Sequence, residues 1–264
     1  MLGRVLIIAG SDSGGGAGIQ ADIKAVSALD GFAATALTAV TAQNTRGVFG
    51  VLPIPPDFIE KQIEVVLSDI GADCIKTGML HDADVIHQVV KTITENAPGI
   101  PLVVDPVMVA KGGSRLLLED AVTALIKNLI PIATLLTPNI PEAEALTGIV
   151  ASGEQAIEAM GKDLLSKGAQ AVLVKGGHLN ETVIVDWLFT ESGIRTFKNR
   201  RIDTPHTHGT GCTLASSIAA GLAGGLELEA AIERAEIYLH KAILGAPGFG
   251  SGHGPIDHMH PVRR

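Results

Sequence analysis

The sequence predicts an α/β fold in which helices cover both faces of a mostly parallel sheet, and three observations support this prediction. Short runs of strand-forming residues alternate with longer segments that carry apolar residues at helical spacing. The chain has 264 residues, 46% of them hydrophobic and 18% charged, so it can bury a sizeable core. No internal repeat or interdomain linker interrupts the alternation. We therefore expect one domain spanning residues 1–264.

The first half of the chain is expected to alternate strands with helices from its start. The strands are predicted at residues 5–9, 35–41, 74–79 and 102–105. The helices are predicted at residues 19–29, 55–67 and 85–93. Gly31 ends the first of these helices. Pro55 and Pro56 open the second, because proline is tolerated only in the first helical turn.

The second half continues the alternation and adds a hairpin. The strands are predicted at residues 134–137, 171–174, 183–189 and 194–197. The helices are predicted at residues 121–130, 154–165, 213–223 and 229–244. The last two strands flank the turn formed by Glu191, Ser192 and Gly193, which indicates a hairpin or an edge of the sheet. The tail that follows residue 244 is rich in glycine and histidine.

Composition and charge exclude several classes of protein. The formal net charge is −8 and the basic runs are short, such as residues 198–201, so we expect no nucleic-acid partner. The apolar run at residues 5–9 is too short for a signal peptide, and no stretch is long enough to span a bilayer. We therefore expect a cytoplasmic protein with no membrane partner, in which Cys74 and Cys212 are free thiols.

Most of the unusual loops come directly after predicted strands. They lie at residues 10–18, 78–79, 105–113, 139–142 and 175–178. Ligands of parallel α/β sheets bind beyond the carboxyl ends of the strands. We therefore expect these loops to converge on one crevice.

One glycine-rich motif is typical of an anion site. The sequence His-Gly-Thr-Gly-Cys-Thr at residues 208–213 precedes a helix made of small residues. Gly209 and Gly211 allow a tight turn that presents backbone N–H groups to a transferring phosphoryl group, and the helix directs its positive end to the same place. Cys212 lies in the first turn, where the helix field lowers a thiol pKa, so it could accept a proton from a hydroxyl group. The alternative interpretation is a helix start with a small buried cysteine.

Three further loops offer polar groups for a phosphorylated ligand. Asn139 and Glu142 lie near a helix N-terminus, where Glu142 could hold Mg²⁺ directly or through water. They could also be only an N-cap and a first-turn acid, with Pro141 at the first helical position. Lys175 could reach a nucleotide's phosphates or be solvated after its strand. Asp105 places an acid at the carboxyl end of a strand.

Nucleotide-binding fingerprints and a zinc site are two further possibilities that the sequence allows us to examine. Residues 16–21 fit the relaxed dinucleotide fingerprint that ends in Ala, but no acid follows the second predicted strand. The sequence Gly-Lys-Ser/Thr of a Walker loop does not occur. Histidines occur at 206, 208, 253, 258 and 260, and a His-x-His pair can bind zinc. No thiol or further ligand lies at a spacing typical of a zinc site, so we interpret these histidines as loop and tail residues.

These residues together resemble the hydroxymethylpyrimidine/phosphomethylpyrimidine kinases of thiamine biosynthesis. The matching segments, nearly the whole chain in order, are residues 10–12, 15–22, 42–47, 76–80, 137–143, 175–178, 207–213 and 254–255. The resemblance implies a ribokinase-like fold, a three-layer αβα sandwich with a mostly parallel central sheet, and members of this family commonly form homodimers. It also implies phosphorylation of 4-amino-5-hydroxymethyl-2-methylpyrimidine by ATP and Mg²⁺, first to the monophosphate and then to the diphosphate.

The resemblance assigns a pocket for the small-molecule pyrimidine substrate. Asp22 and Gln43 would hydrogen-bond the aminopyrimidine. Gly10, Met79 and Val107 would line the same pocket.

The resemblance also assigns the groups that act on the phosphates. Gly209, Thr210 and Gly211 would form the anion hole, and Cys212 would occupy the position of the base, where sugar kinases of this fold usually carry Asp. Asp105, Glu142 and Asn139 would serve Mg²⁺ and phosphate. Lys175 and Thr213 would bind the nucleotide.

Two alternative functions remain open from the sequence. Some relatives phosphorylate B6 vitamers, so a pyridoxal or pyridoxine kinase is the nearer alternative, although Cys212 in place of Asp favours the pyrimidine. A dinucleotide-binding oxidoreductase built on residues 16–21 is the more distant one.

Overall fold

The computed structural model describes residues 2–109, 116–117, 119–176 and 182–263. Gly177 and His178 of the predicted lysine loop lie outside the described residues, as do residues 110–113 of the loop after Asp105.

One sheet of nine strands runs through the described part of the chain. In chain order the strands are β1 (Arg4–Asp12), β2 (Phe32–Asn44), β3 (Gly47–Pro53), β4 (Cys74–Thr77), β5 (Leu102–Val104), β6 (Leu135–Leu136), β7 (Ala171–Val174), β8 (Val183–Thr190) and β9 (Gly193–Arg200). Their order across the sheet is β3-β2-β1-β4-β5-β6-β7-β8-β9. The pairs from β2 to β7 are parallel, and β3, β8 and β9 are antiparallel to their neighbours. The predicted mostly parallel sheet is confirmed.

The described helices lie on both faces of this sheet. They are α1 (Gly18–Ala28), α2 (Pro56–Asp69), α3 (Ala83–Asn96), α4 (Glu119–Ala124), α5 (Ile140–Thr147), α6 (Glu154–Ser166), α7 (Thr210–Ala223) and α8 (Leu228–Leu244). None of the described helices has the length and apolar character needed to cross a membrane.

The alternation of side chains along each strand divides the core into two layers. On β1, Leu6 and Ile8 pack with α2 to α6, whereas Val5 and Ile7 pack with α1, α7 and α8. Successive side chains of a strand point to opposite faces, so a strand that is apolar at every position is buried on both. The predicted three-layer αβα sandwich is confirmed.

The antiparallel strand β3 was not predicted. The sequence pattern predicts that the second strand ends at residue 41, whereas β2 continues to Asn44 and pairs with β3. Gly47, Gly50 and Pro53 in β3 are residues that usually mark turns, so they hide the strand from pattern analysis. β3 lies at the edge of the sheet, where a strand tolerates proline and glycine.

The predicted helix at residues 121–130 is also less regular than expected. It consists of the short α4, a π-helical turn over Leu125–Leu129 and a 3₁₀ turn over Ile130–Ile132. Pro131 lacks the N–H donor that a continuing α-helix would need at this point.

The order of the strands creates a switch point between β1 and β4. From β1 the chain first builds outward through β2 and β3, and it then returns to the other side of β1 and continues through β4. At such a point the loops beyond the carboxyl ends of neighbouring strands diverge and leave a crevice. The predicted loops after β1, β4, β5, β6 and β7 therefore lie along this one edge of the sheet.

Candidate active site

The loop after β1 is organised around the carboxylate of Asp12. One Asp12 oxygen, Oδ1, accepts the N–H of Gly14 at 2.8 Å, and the other, Oδ2, accepts those of Gly16 at 3.1 Å and Ala17 at 2.8 Å. Burial raises the pKa of Asp12, but hydrogen bonds from His208 and from this backbone bring it below its ordinary value. Two of these N–H groups, those of Gly16 and Ala17, belong to the dinucleotide fingerprint, which would offer such groups to a pyrophosphate, but here a protein carboxylate occupies them. This arrangement disfavours the oxidoreductase alternative.

His208 connects this first loop to the predicted anion turn. Its Nε2 lies 2.8 Å from Asp12 Oδ2 and 3.4 Å from Nε2 of Gln43. Gln43 itself is partly exposed, and its Oε1 accepts a hydrogen bond from the Thr41 hydroxyl at 3.2 Å. The structure therefore brings the predicted substrate residue Gln43 beside the anion turn, although the two are far apart in sequence. Its contact with a pyrimidine stays a prediction.

Gly10 and Met79 are neighbours at the switch point. A Cβ atom at Gly10 would lie 2.4 Å from Cε of Met79, so the glycine makes room for the methionine side chain. The Thr38 hydroxyl donates to the carbonyl oxygen of Met79 at 2.6 Å and fixes that loop. Val107 is partly exposed in the loop after β5. The placement of Gly10 against Met79 is compatible with the predicted pocket wall, and the role of Val107 stays a prediction.

The predicted anion turn begins α7 with a glycine in the left-handed region. Gly209 is the N-cap of α7 with φ of 82°, and a Cβ there would lie 1.8 Å from the carbonyl oxygen of Gly16. Thr210 and Gly211 form the first positions of the helix. A Cβ at Gly211 would lie 3.4 Å from Nζ of Lys175, so this residue lies directly over the lysine. The N-terminus of α7, where a helix has N–H groups without partners inside the helix, thus lies beside Lys175.

Cys212 lies in the first turn of α7 as predicted, but its pKa is not lowered. Burial of the thiol, followed by the charges of Asp22 and Asp105, raises the pKa of Cys212 to about 12. Two groups act in the opposite direction, the ammonium of Lys76 and the backbone N–H of Gly18. The expectation that the helix field would lower this pKa is therefore wrong for the protein without ligands, because desolvation outweighs these nearby positive groups. The role of Cys212 as a base stays a prediction.

A fully buried ion pair lies one helical turn beneath Cys212. Lys76 on β4 donates to Oδ2 of Asp22 at 2.9 Å, and the Ser216 hydroxyl donates to Oδ1 at 2.6 Å. Gly18 on α1 thus faces Cys212 on α7, and one turn further along both helices Asp22 faces Ser216. Burial lowers the pKa of Lys76, but the charge of the Asp22 carboxylate outweighs burial and raises this pKa above its ordinary value.

This pair changes the interpretation of Asp22. The predicted pyrimidine contact of Asp22 stays untested, but both of its oxygens already accept hydrogen bonds and the side chain has no exposed surface. Lys76 was matched only as part of a family motif and was given no role. A lysine in the middle of an otherwise apolar strand was the signal that could have identified it, since buried charges are rare unless paired.

A second buried cluster lies on the other side of the anion turn. Lys175 donates to Oδ1 of Asp105 at 3.1 Å. Asn139 caps α5 by accepting the N–H of Glu142 at 2.9 Å, while Glu142 Oε2 accepts the N–H of Asn139 at 2.8 Å. Asn139 and Glu142 thus form a capping box, as the N-cap interpretation of these two residues predicts. Pro141 lies at the second helical position rather than at the predicted first position.

The two carboxylates of this cluster fit a divalent cation. Burial first, and then the charge of Asp105, raises the pKa of Glu142 to about 7. A hard cation such as Mg²⁺ prefers oxygen ligands and would relieve the repulsion between these two buried acids. The oxygen donors Asp105 and Glu142 therefore suit Mg²⁺, which keeps most of its remaining ligands as water.

The hydroxyl of Thr213 contacts the C-terminal tail. Thr213 is fully buried, and its Oγ1 lies 2.9 Å from Nε2 of His258 in the C-terminal tail. Burial lowers the pKa of His258 to about 4, so the ring is neutral at ordinary pH. The structure gives this hydroxyl a tail contact, and its predicted nucleotide contact stays a prediction.

Comparison with known proteins gives consistent matches over almost the whole chain. A sequence profile described as phosphomethylpyrimidine kinase matches residues 12–257. The chain is 46% identical over 257 residues to the hydroxymethylpyrimidine/phosphomethylpyrimidine kinase of Bacillus subtilis, with 97% of this chain and 94% of that protein covered. It is 50% identical over 257 residues to the thiamine biosynthesis bifunctional protein ThiED of Geobacter sulfurreducens, but it spans only 52% of that protein's length.

Among solved structures, the fold is similar to that of an ADP complex of Bacillus subtilis pyridoxal kinase. The TM-score is 0.90 at 37% identity, and the match covers 98% of each chain.

Proposed function

Because the chain belongs to the phosphomethylpyrimidine kinase family, a family of phosphotransferases, we propose that it transfers the γ-phosphoryl group of ATP to 4-amino-5-hydroxymethyl-2-methylpyrimidine. We propose further that it converts the monophosphate to the diphosphate in the formation of thiamine diphosphate. The observation that carries this proposal is the position of the anion turn. Gly209 to Cys212 at the start of α7 lie between the loop after β1 and the Lys175–Asp105 pair.

Each side of the anion turn has a separate task in this proposal. Gly10, Met79, Gln43 and Val107 hold the pyrimidine ring beside the switch point. Lys175 binds the nucleotide's phosphates, and the N–H groups of Gly209 to Gly211 stabilise the transferring phosphoryl group, whose charge spreads over its equatorial oxygens. Because Lys175 and the turn lie against each other, one phosphoryl group can contact both.

Cys212 serves as the proton acceptor for the hydroxymethyl group. Its thiol must first lose its own proton, which its raised pKa opposes. The ammonium of Lys76 and the N–H of Gly18 favour the thiolate, so these two groups support the ionised form during turnover.

Asp105 and Glu142 are the residues that we propose to hold Mg²⁺, with Asn139 orienting Glu142 through the capping box. When bound, the ion supplies charge neutralisation for the phosphates. Asp105 also keeps Lys175 in place through its hydrogen bond.

A phosphotransfer assay tests the proposal directly. The chain is incubated with ATP, Mg²⁺ and the hydroxymethylpyrimidine, and the monophosphate and diphosphate products are resolved by chromatography. Formation of both products supports the proposal, whereas phosphorylation of neither the alcohol nor the monophosphate overturns it.

Pyridoxal kinase activity is the second candidate, favoured by the structural match at a TM-score of 0.90. The chain is 46% identical to the pyrimidine kinase of Bacillus subtilis and 37% identical to the pyridoxal kinase of the same organism, so the pyrimidine is the better supported substrate. Comparing kcat/KM for pyridoxal and for the pyrimidine decides between them. A higher value for pyridoxal would reverse this order.

We also propose that the chain forms a homodimer through the β2–β3 edge. Phe49 and Leu52 on the edge strand β3 are 71% and 66% exposed. Exposed apolar residues on an unpaired edge strand favour association with another chain. Sedimentation equilibrium should give a dimer for the native chain and a monomer for the double variant Phe49→Glu and Leu52→Glu. A native chain that sediments as a monomer would contradict the proposal.

The remaining proposals concern organisation and compartment. We propose that residues 1–264 act as one kinase unit, since the sheet continues through the described part of the chain. We propose that this unit works in the cytoplasm, where ATP is present and where free thiols such as Cys74 and Cys212 stay reduced.

A further inference from the structure

Two acidic side chains are buried together behind the loop that carries Lys175. Asp186 on β8 is 6% exposed and Glu236 on α8 is 8% exposed. Neither residue belongs to the motifs that the sequence pattern singles out. Two ionised carboxylates at close range in a dry site repel each other strongly, so one member of such a pair normally keeps a proton.

The hydrogen bonds identify which acid keeps the proton. Asp186 Oδ1 accepts the backbone N–H of Gly176 at 2.7 Å, and Glu236 Oε2 accepts the side-chain N–H of Asn199 at 2.7 Å. The other oxygen, Glu236 Oε1, is buried and has no N–H or O–H donor as a partner, so it is the oxygen that can carry a proton. Burial, the charge of Asp186 and a hydrogen bond between the two side chains raise the pKa of Glu236 well above its ordinary value. Burial also raises the pKa of Asp186, but the hydrogen bonds from Glu236 and from the Gly176 N–H favour its ionised form. We therefore assign Glu236 as the donor and Asp186 as the acceptor.

The charges around Glu236 come from few elements. Asp186 faces it from β8 and Lys175 from the end of β7, while Asn199 on β9 is neutral. Helix α7, which packs along α8, contains no Asp, Glu, Lys, Arg or His. Among the described residues, Lys175 is thus the cation that acts on Glu236.

Gly176 holds the end of β7 tightly against β8. The strands pair as far as Val174 and Trp187, and a Cβ at Gly176 would lie 2.0 Å from the carbonyl oxygen of Val185. The only polar anchor that the structure shows for the Gly176 N–H is Asp186. The backbone of the preceding residue, Lys175, is held on its other side by its own N–H, which donates to the Pro138 carbonyl oxygen at 2.8 Å. The Lys175 side chain extends from this backbone to Asp105.

We propose that Glu236 is a positioning residue for the nucleotide site: its carboxyl group donates a hydrogen bond to Asp186, and Asp186 in turn fixes the Gly176 N–H and thereby the backbone of Lys175. This inference rests on the proposed function only in that Lys175 contacts the phosphates of ATP. Loss of the Glu236 proton at high pH would place two negative charges side by side and release the Gly176 anchor.

The expected result is a pH-dependent affinity for nucleotide. As pH rises and Glu236 ionises, the affinity for a non-hydrolysable ATP analogue should fall by roughly three- to tenfold, the effect of one lost hydrogen bond. Glu236→Gln keeps a donor toward Asp186 and an acceptor for Asn199, but it cannot ionise. This variant should retain the affinity of the native chain at low pH and lose this part of the pH dependence.

Isothermal titration calorimetry with the analogue and Mg²⁺ across a pH series tests the proposal. The variants are Glu236→Gln, Glu236→Leu, which keeps the volume but removes the hydrogen bonds, and Glu233→Gln, an exposed control on the same helix. Glu236→Leu should bind about as weakly as the native chain at high pH, and Glu233→Gln should match the native chain throughout. Steady-state kinetics should show a raised KM for ATP in Glu236→Leu, with KM for the pyrimidine unchanged.

Two results would overturn the inference. One is a Glu236→Gln variant whose affinity follows the same pH profile as that of the native chain. The other is a Glu236→Gln variant that binds as weakly as Glu236→Leu while both unfold at the native urea midpoint. The calorimetry needs no pyrimidine, so the inference about Glu236 can fail while the proposed kinase activity stands. Conversely, the product assay can fail while the inference about Glu236 stands.

Discussion

At the scale of single residues, the groups around Cys212 have opposing effects on the pKa of its thiol. Its place in the first turn of α7 was predicted, yet burial raises its pKa to about 12. The groups that favour its ionisation, Lys76 and the N–H of Gly18, come from β4 and α1. The reactivity of this thiol therefore depends on neighbours supplied by three elements rather than on the helix alone.

Replacing Cys212 by Ala should slow phosphorylation of the hydroxymethylpyrimidine by about 10²- to 10⁴-fold, the usual effect of removing a general base. Because the thiol pKa is raised, the ionised fraction grows as pH increases from neutral to alkaline. The native rate should therefore rise with pH, and the rate of the variant should lack this rise. Cys74→Ala, a buried cysteine on β4, is the matched control and should keep the native profile. Near-native turnover of Cys212→Ala across the pH range would refute the assignment.

Lys76→Met should destabilise the fold by about 3–5 kcal/mol, because it leaves the carboxylate of Asp22 buried without its cation. Urea unfolding monitored by circular dichroism measures this loss at neutral pH. Adding Asp22→Asn removes the unpaired charge and should restore a large part of the stability. A Lys76→Met variant as stable as the native chain would mean that the pair is not ionised in the fold.

At the scale of elements, α7 is held in place by its contact with the loop after β1. Gly209 fits against the carbonyl oxygen of Gly16, where a side chain has no room, and its φ of 82° is strained for other residues. His208 adds a hydrogen bond to Asp12 from the residue before this glycine. The anion turn is thus a junction between two loops and not an independent motif.

The two glycines of the turn should respond differently to Ala. Gly209→Ala should push the loops apart and lower both the thermal stability and the activity, because its Cβ would overlap Gly16. Gly211→Ala has space for a Cβ at 3.4 Å from Lys175, so it should fold with nearly native Tm but fill the space above the lysine. We expect at least a tenfold loss of kcat/KM in Gly211→Ala, since a misplacement of about 1 Å can cost about 10²-fold. Equal losses of Tm in both variants, measured by calorimetry, would contradict this distinction.

At the scale of the whole molecule, the order of the strands brings distant residues to one edge of the sheet. In the proposed site, the substrate side is built from the end of β2, the loops after β1 and β4, and Val107 in the loop after β5. The phosphate side is built from Asp105, directly after β5, and from the loops after β6 and β7. The start of α7 lies between the two sides. In the described part of the chain we find one such anion turn, so two successive phosphorylations would use the same site.

The two steps should depend differently on Cys212 and Lys175. The hydroxymethyl group must lose a proton on attack, whereas a phosphate monoester, with a second pKa of about 6, is mostly ionised at neutral pH. Cys212→Ala should therefore slow the first step much more than the second, and Lys175→Ala should slow both, because each step transfers a phosphoryl group from ATP. Supplying the alcohol and the monophosphate separately to both variants measures the two rates. Equal losses in both steps for Cys212→Ala would refute the separation of roles.

The sequence by itself determined the layered fold, the convergence of the loops and the position of the anion turn. These features follow from local patterns, because the alternation of strand and helix periods and the glycines at turns act over a few residues. The same patterns missed β3, whose glycines and proline are tolerated only because it lies at an edge.

Only the tertiary structure decided which polar groups meet and what each one is able to do. The bonds between Asp12 and His208 and between Lys76 and Asp22 join residues 196 and 54 positions apart, so no local pattern contains them. The thiol pKa was misjudged for the same reason, since burial depends on every element packed around Cys212. Local sequence determines where a helix begins and which residues form its first turn. The long-range packing of charged and apolar groups sets the protonation states at that turn, because desolvation and Coulomb energies depend on distance in space and not along the chain.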